Sequence, residues 1–480
     1  MPRGSKGIGY RDMPTVDTPS PSTRTTTSSS PKISLLPIAG ILNEHLTEAL
    51  CQQVFESVRT NERQREWSLF TLAKFWAAVT IAPPNSLGQA LDQGRAGGSD
   101  LMPEVTATND SSFQRFTSLH WKFFHALYYA FTQRLLGEAQ PVFAGAVADL
   151  RTRFPDILLI DGSRLDPIAH KLKILRNHAA VILPGCVTVV YDLFRGVTRQ
   201  VLFDPDAAAA ELLRAVPLLS SLPKGALLVG DRLYASIQFF WELSARGLWG
   251  LFRLNGHLKV ERLHLIGRGQ WGGRGVVEDW LVKVGTGQSA PVITLRMICF
   301  RQGKLQRDLL TSVLDPKMLS AEEALSLYPL RWQIERAFYD LKVVLKMSRF
   351  YTCNPNGVAM QVYAAAMVYN ALRVGQGRIA VEQGIAPEDI STAKLFPKLA
   401  KASFDAASCE WTYLALNRTN GGNLIKPDLL NEAPFGRTTL DAILVRKRNG
   451  HRRRRYFVRG RRRWKSLAHI SGGKKLTKLT

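Results

Sequence analysis

Two short apolar runs in this chain each lead into an aspartate. Ile157-Leu-Leu-Ile160 precedes Asp161 in the context Asp-Gly-Ser, and Leu227-Leu-Val-Gly230 precedes Asp231 in the context Asp-Arg-Leu-Tyr. Brief apolar runs of this kind predict buried strands, and in open sheets ligands gather at the carboxyl ends of strands. A lone aspartate in such a place is ordinarily a turn or helix cap. A third acid alters that balance. Glu335 lies in the helical segment Tyr328-Pro-Leu-Arg331-Trp-Gln-Ile-Glu335-Arg-Ala-Phe-Tyr-Asp-Leu-Lys342. At about 100° per residue, with Arg331 at zero, Glu335 falls near ~40°, Lys342 near ~20° and Tyr328 near ~60°, one shared sector. Ile334, Phe338, Leu341 and Leu345 form the apolar face that would dock on a core. A solvated ion pair four residues apart accounts for Arg331 with Glu335, and leaves Tyr328 and Lys342 in the same sector unexplained. Pro329 can begin a new helical segment there. Converging carboxylates suit two divalent ions about 3.5–4 Å apart, which neutralise the attacking and leaving oxygens of a phosphodiester. Hard oxygen ligands select Mg²⁺, with Mn²⁺ tolerated, over zinc.

The elements that must position these residues can be read around them. After Ile157–Ile160 come strand-like runs at 181–183, 187–191 and 197–203, with Arg195-Gly196 as the tight turn before the last. An Ala-rich helix at about 206–220 leads into the Asp231 strand, and a helix at about 235–246 leads into Leu248–Leu254. That order predicts an α/β fold, an RNase H-like mixed sheet with helices on its faces. The core is expected over 151–350, with a Gly-rich β-strand insertion at about 256–315 and a strong helical segment at about 320–347. A helical N-terminal domain is expected over 36–150, where Thr47–Glu56 and Ser112–Trp121 space apolar residues by three and four. Helices are expected over 351–445, including the buried apolar stretch Val358–Tyr369. Residues 14–32 are Ser, Thr or Pro at 15 of 19 positions, so 1–35 reads as a disordered lead.

Tyr328-(2)-Arg331-(3)-Glu335-(6)-Lys342 resembles the Y-R-E-K signature of the IS-four group of insertion-sequence transposases, which includes the Tn-five type. The resemblance extends to Asp161-Gly-Ser, to Asp231 with Tyr234, and to Leu309-Leu-Thr-Ser-Val-Leu-Asp-Pro316. It covers roughly 155–375, nearly half the chain. It implies a DDE catalytic core with its β insertion between the second aspartate and the glutamate; Asp231 follows Asp161 by 70 residues, and Glu335 follows Asp231 by 104. It implies cut-and-paste transposition, in which activated water nicks the element end. The freed 3′-hydroxyl attacks the opposite strand to form a hairpin, and after hairpin opening attacks target DNA. Carried over by motif, Asp161, Asp231 and Glu335 hold the two metal ions, while Tyr328, Arg331 and Lys342 contact DNA phosphates, arginine being suited to bidentate binding.

The bulk properties agree with a polyanionic partner. The formal charge is +25, and 446–480 carries 15 Lys or Arg and no acid. In Arg452–Trp464 aromatic residues interleave with the arginines, a pattern suited to nonspecific DNA backbone contact. The expected partner is double-stranded DNA, both terminal inverted repeats and target, bound by a dimer or higher oligomer. No run of about 18 apolar residues predicts a membrane span. Five scattered cysteines and an N-terminus without an apolar h-region fit the bacterial cytoplasm, at the nucleoid. Trp271 and Trp280 are candidates for stacking on a flipped base, with a core role the stronger reading of each; His170 and His178 read as exposed rather than catalytic or zinc-binding. Two other functions share these features: a non-catalytic DNA-binding transposition inhibitor, and an RNase H-like nuclease that never joins strands.

Overall fold

The computed structural model describes residues 32–34, 37–58, 67–97, 102–165, 185–273, 275–285, 291–401 and 437–445. The serine- and threonine-rich lead before Lys32, the strand-like run 181–183, both histidines His170 and His178, and the basic tail lie outside these residues. A short strand, β1 (Lys32–Ser34), precedes α1 (Pro37–His45), α2 (Glu48–Val58), α3 (Leu69–Ile81), α4 (Leu87–Arg95), α5 (Asn109–Ser118) and α6 (Lys122–Leu136). Ser68, Ser86 and Thr108 cap three of them, each accepting from the backbone amide three residues on. The periodic run Ser112–Trp121 is not one helix: Leu119 is extended (φ −69°, ψ 119°), so α5 stops there and α6 begins afresh.

Of the strands β2 (Ile157–Arg164), β3 (Cys186–Asp192) and β4 (Val197–Asp204), the middle one pairs antiparallel with each of the others, and Gly196 supplies the left-handed turn (φ +71°) between the last two. Then α7 (Glu211–Leu219), β5 (Leu227–Gly230), α8 (Ile237–Ser244) and β6 (Trp249–Arg253) follow, with β5 parallel to β2 and β6 parallel to β5. Three antiparallel strands followed by two parallel ones, each reached through a helix, make the RNase H-like core expected from the element order. The Gly-rich segment forms β7 (Val260–Trp271), β8 (Gly275–Val284), β9 (Ile293–Gln302) and β10 (Leu305–Thr311). These strands extend the same sheet, because β10 pairs antiparallel with β6; the full order is β4-β3-β2-β5-β6-β10-β9-β8-β7.

The helical segment expected over 320–347 is four pieces. A capping box of Ser320 and Glu323 starts α9 (Ala321–Leu327). A 3₁₀ turn (Tyr328–Arg331), α10 (Trp332–Tyr339) and a π turn (Asp340–Val344) complete it. Pro329 lacks an amide and collides with the carbonyl four residues back, so the chain tightens at that point. Ile334, Phe338, Leu341 and Leu345 are all buried, as their spacing predicts. After it, α11 (Pro355–Gln383) is 29 residues long and buried almost throughout, including Val358–Tyr369. An all-round apolar helix has no solvent face to reveal its pitch. Asn370 ties it to the sheet by accepting from the Thr198 amide at 2.8 Å. Near the end of the described chain, β11 (Arg437–Thr439) pairs with β1, and α12 (Leu440–Ile443) follows. Among the described residues, no helix is long and apolar enough to cross a membrane.

Candidate active site

Register brings the two aspartates together. Along the parallel pair β2 and β5, Ile157 faces Leu227, Leu158 faces Leu228 and Leu159 faces Val229. That offset is the 70 residues separating Asp161 from Asp231. The ladder ends two positions before them, and the charge of Asp231 still acts on the Asp161 carboxyl. Where the sequence suggests that the first strand stops on Asp161, β2 instead continues to Arg164, because β3 goes on pairing with it, Asp161 facing Val189. Asp231 stands just past β5, and its Oδ1 accepts from the Leu233 amide at 2.7 Å, so it also serves as a turn cap.

Burial pushes the Asp161 carboxyl up to about 7, the charges of Glu211 and Asp231 add to that, and Arg331 opposes it. One Asp161 oxygen accepts from the Gly162 amide at 2.9 Å; the other lies 3.5 Å from a nitrogen of Arg331. The second terminal nitrogen of Arg331 pairs with Glu335 at 2.9 Å. Arg331 therefore links the helix-borne acid to the strand-borne one. Among the described residues, the carboxylates of Asp161, Asp231 and Glu335 do not close to within 4.8 Å of one another; the group that does is Glu44, His45 and Glu138. The donor set nonetheless fits a hard divalent cation in its chemistry, since it is all carboxylate oxygen and its three acids outnumber the one guanidinium of Arg331.

Lys342 sits on the π turn and donates to Ser163 Oγ at 2.6 Å and to the Arg164 carbonyl at 2.5 Å, on the strand that bears Asp161. Tyr328, rotated by the Pro329 turn, is buried, with the Arg307 guanidinium 5.8 Å from its ring centre; burial raises its phenol above the ordinary range. Trp271 packs edge-on against Phe300 at 5.3 Å, and Trp280 lies under Arg262 at 4.8 Å, so both rings already have partners.

Sequence reasoning passed over two features. Glu211, the first residue of α7, accepts from Tyr234 at 2.5 Å and bears on Asp161 more strongly than Asp231 does. Its one signal was an acid opening a helix that is apolar apart from Arg214. Arg296 is fully buried, bonded to Asp279 at 2.7 Å and to the Leu319 carbonyl at 2.6 Å, next to the cap of α9. It anchors the inserted strands to the start of the glutamate-bearing segment.

Comparison with known proteins follows the same residues. Residues 185–371 match the family described as Transposase DDE domain, a stretch that takes in Asp231 and Glu335 and starts after Asp161. A protein of Sinorhizobium fredii named as transposase y4zB is 27% identical over 192 residues, covering 38% of this chain and 53% of the relative. A protein of Synechocystis sp. named as the transposase for insertion sequence element IS4SA is 24% identical over 161 residues, covering 32% and 43%. The chain thus spans about half the length of these curated relatives. Among solved structures, a piggyBac transposase synaptic complex with hairpin DNA aligns over 82% of this chain and 86% of that one, at 11% identity and a TM-score of 0.36. The domain match and the curated relatives share one feature with this chain: over its central part it is similar to DDE transposases.

Proposed function

We propose that the chain is a DNA transposase that cleaves and joins the ends of its own insertion sequence. The observation that carries this is the approach of three acids from distant parts of the chain: Asp231, just past β5, lies near enough for its charge to raise the Asp161 carboxyl, and Glu335 is tied to Asp161 through Arg331. Asp161, Asp231 and Glu335 would hold two Mg²⁺ ions, with Mn²⁺ tolerated. When bound, these supply charge neutralisation at the attacking and leaving oxygens. The polypeptide contributes position and charge. Arg331 offers a planar fork that can exchange its carboxylate partners for a DNA phosphate. Lys342, held beside Asp161 by Ser163 and Arg164, brings a second cation to the same face. Tyr328 is proposed as a third phosphate contact, its hydroxyl becoming available as the 3₁₀ turn adjusts on DNA.

The partner proposed is double-stranded DNA, first the terminal inverted repeats and then the target, bound by a dimer or larger assembly. The charge of +25 supports it through counterion release. The likeness to a transposase named for IS4SA and the Y-R-E-K spacing support placement in the IS-four group, and with it a cut-and-paste route through hairpin ends. The helical segment of 36–150 is proposed as an end-binding region, and the tail of 446–480 as a sequence-independent contact.

The test uses purified full-length protein, Mg²⁺, and a duplex carrying the inverted repeats that flank its gene. Nicking at the repeat, a hairpin product, and joining of the released end to a plasmid would support all parts. End binding without any cut would point to an inhibitor. Cutting without joining, even from a pre-cleaved 3′-hydroxyl end, would leave a nuclease.

A further inference from the structure

Glu211 opens α7, on the crossover between β4 and β5, where an acid ordinarily serves the helix dipole. Its carboxylate is placed otherwise. A Cβ built on Gly162 would lie within 2.8 Å of both carboxylate oxygens of Glu211, so that carboxylate occupies the space beside the backbone of the residue after Asp161. Glycine at 162 is what admits it.

Its hold on that place comes from the other aspartate's loop. Tyr234, three residues beyond Asp231 and fully buried, donates its hydroxyl to Glu211 Oε1 at 2.5 Å. Burial and the neighbouring acids, Glu211 foremost, keep that phenol protonated and therefore a donor. Among the described residues, no other hydrogen bond to Glu211 is formed, and Oε2 is left for another partner. A buried tyrosine thus fixes one carboxylate against another. Two acids so placed repel unless one keeps a proton or a cation lies between them.

We infer that Glu211 is a fourth oxygen ligand of the divalent-cation cluster, sharing a cation with Asp161, and that Tyr234 is its positioning residue. This rests on Asp161, Asp231 and Glu335 being cation ligands. The set then joins β2, the loop after β5, the glutamate-bearing helix and the start of α7.

The experiment titrates Mn²⁺ into the full-length protein without DNA, by calorimetry and by the electron paramagnetic resonance of free Mn²⁺. The variants are Glu211→Gln, Tyr234→Phe and Asp161→Asn, each also melted without metal. Glutamine keeps the size of Glu211 and an acceptor for Tyr234, so a purely structural role predicts unchanged Mn²⁺ affinity. The expected result is a loss of about tenfold or more for Glu211→Gln, and a smaller loss for Tyr234→Phe, in which every carboxylate is still present. If Glu211→Gln binds like wild type while Asp161→Asn is impaired, Glu211 is not a ligand and the inference falls alone. If Asp161→Asn also binds like wild type, the whole cation site falls with it. Should Glu211→Gln fail to fold, Tyr234→Phe decides: wild-type affinity in that variant overturns the inference.

Discussion

Arg331 reaches Asp161 at 3.5 Å across 170 residues of sequence, while its other terminal nitrogen holds Glu335 at 2.9 Å. One guanidinium, only 11% exposed, therefore lies between two of the acids proposed to hold a divalent cation. The contact to Asp161 is long for a hydrogen bond, so much of the attraction is coulombic. Arg331→Ala should lower metal-free stability by about 1–2 kcal/mol, since it strands a half-buried acid pair. Added Mn²⁺ should restore more stability to the variant than it adds to the wild type. Melting with a chelator and with Mn²⁺ checks this; equal Mn²⁺ gains in both proteins would mean that Arg331 does not stand in for the cation.

The raised Asp161 carboxyl makes stability depend on pH with a definite sign. Its folded pKa of about 7 lies above its ordinary value of 3.8. Between those values the native state keeps a proton that the unfolded state has lost, so metal-free stability falls as pH rises from about 4 to about 7, then levels. The drop is on the order of 1–4 kcal/mol, at 1.36 kcal/mol per unit and with the upper end a ceiling. Asp161→Asn should flatten that part of the curve. Denaturant unfolding of both proteins from pH 4 to 8 measures the difference, and parallel curves would remove Asp161 as its source. Divalent cation should act oppositely, stabilising more as pH rises, because it binds the ionised acid.

Activity separates ligand from scaffold at the same residue. Asp161→Asn should abolish cutting of element ends while end binding stays measurable, because the change removes a proposed metal ligand and not a phosphate contact. Cleavage assays beside gel-shift titrations decide it. Cutting at the wild-type rate would exclude Asp161 from the chemistry.

Lys342 offers a test of DNA contact against structural anchorage. Its ammonium is held by Ser163 and the Arg164 carbonyl, so a phosphate must compete with β2 for it. If it turns to DNA, Lys342→Ala should reduce the slope of log affinity against log salt by about 0.9. An unchanged slope with a lower melting temperature would leave Lys342 as a strand-to-helix tie.

The acids were legible because each ends or faces an apolar pattern: four buried residues before Asp161, four before Asp231, and the stripe Ile334, Phe338, Leu341, Leu345 opposite Glu335. The RNase H-like class followed from the chain order of strands and helices, while the spatial order of the strands is seen only in the structure. Less was legible where the cause is tertiary. That β2 outruns Asp161 depends on β3 lying beside it, and no local signal in Gly162-Ser-Arg164 announces this. The break at Pro329 was visible as a residue, but its effect, burying Tyr328, depends on what the turn packs against. Glu211 was hidden because a helix-start acid has an ordinary local use, and its link to Gly162 and Tyr234 exists only in three dimensions.

The buried pair of Arg296 and Asp279 yields the clearest stability prediction. Arg296 is fully buried and Asp279 nearly so; Arg296 also donates to the Leu319 carbonyl one residue before the cap of α9. Removing one member strands a charge in the core, and Arg296→Ala should cost about 3–5 kcal/mol. Replacing both, Arg296→Met with Asp279→Leu, should recover much of that loss, because the desolvation penalty of the pair disappears with the pair. The double variant would still lack the donor to Leu319, so α9 and the Glu335 helix behind it lose their tether to the inserted strands. Stability should therefore return further than cutting activity does. Urea unfolding beside the end-cleavage assay tests this separation, and parallel recovery of both would show that the pair supports the fold without placing Glu335.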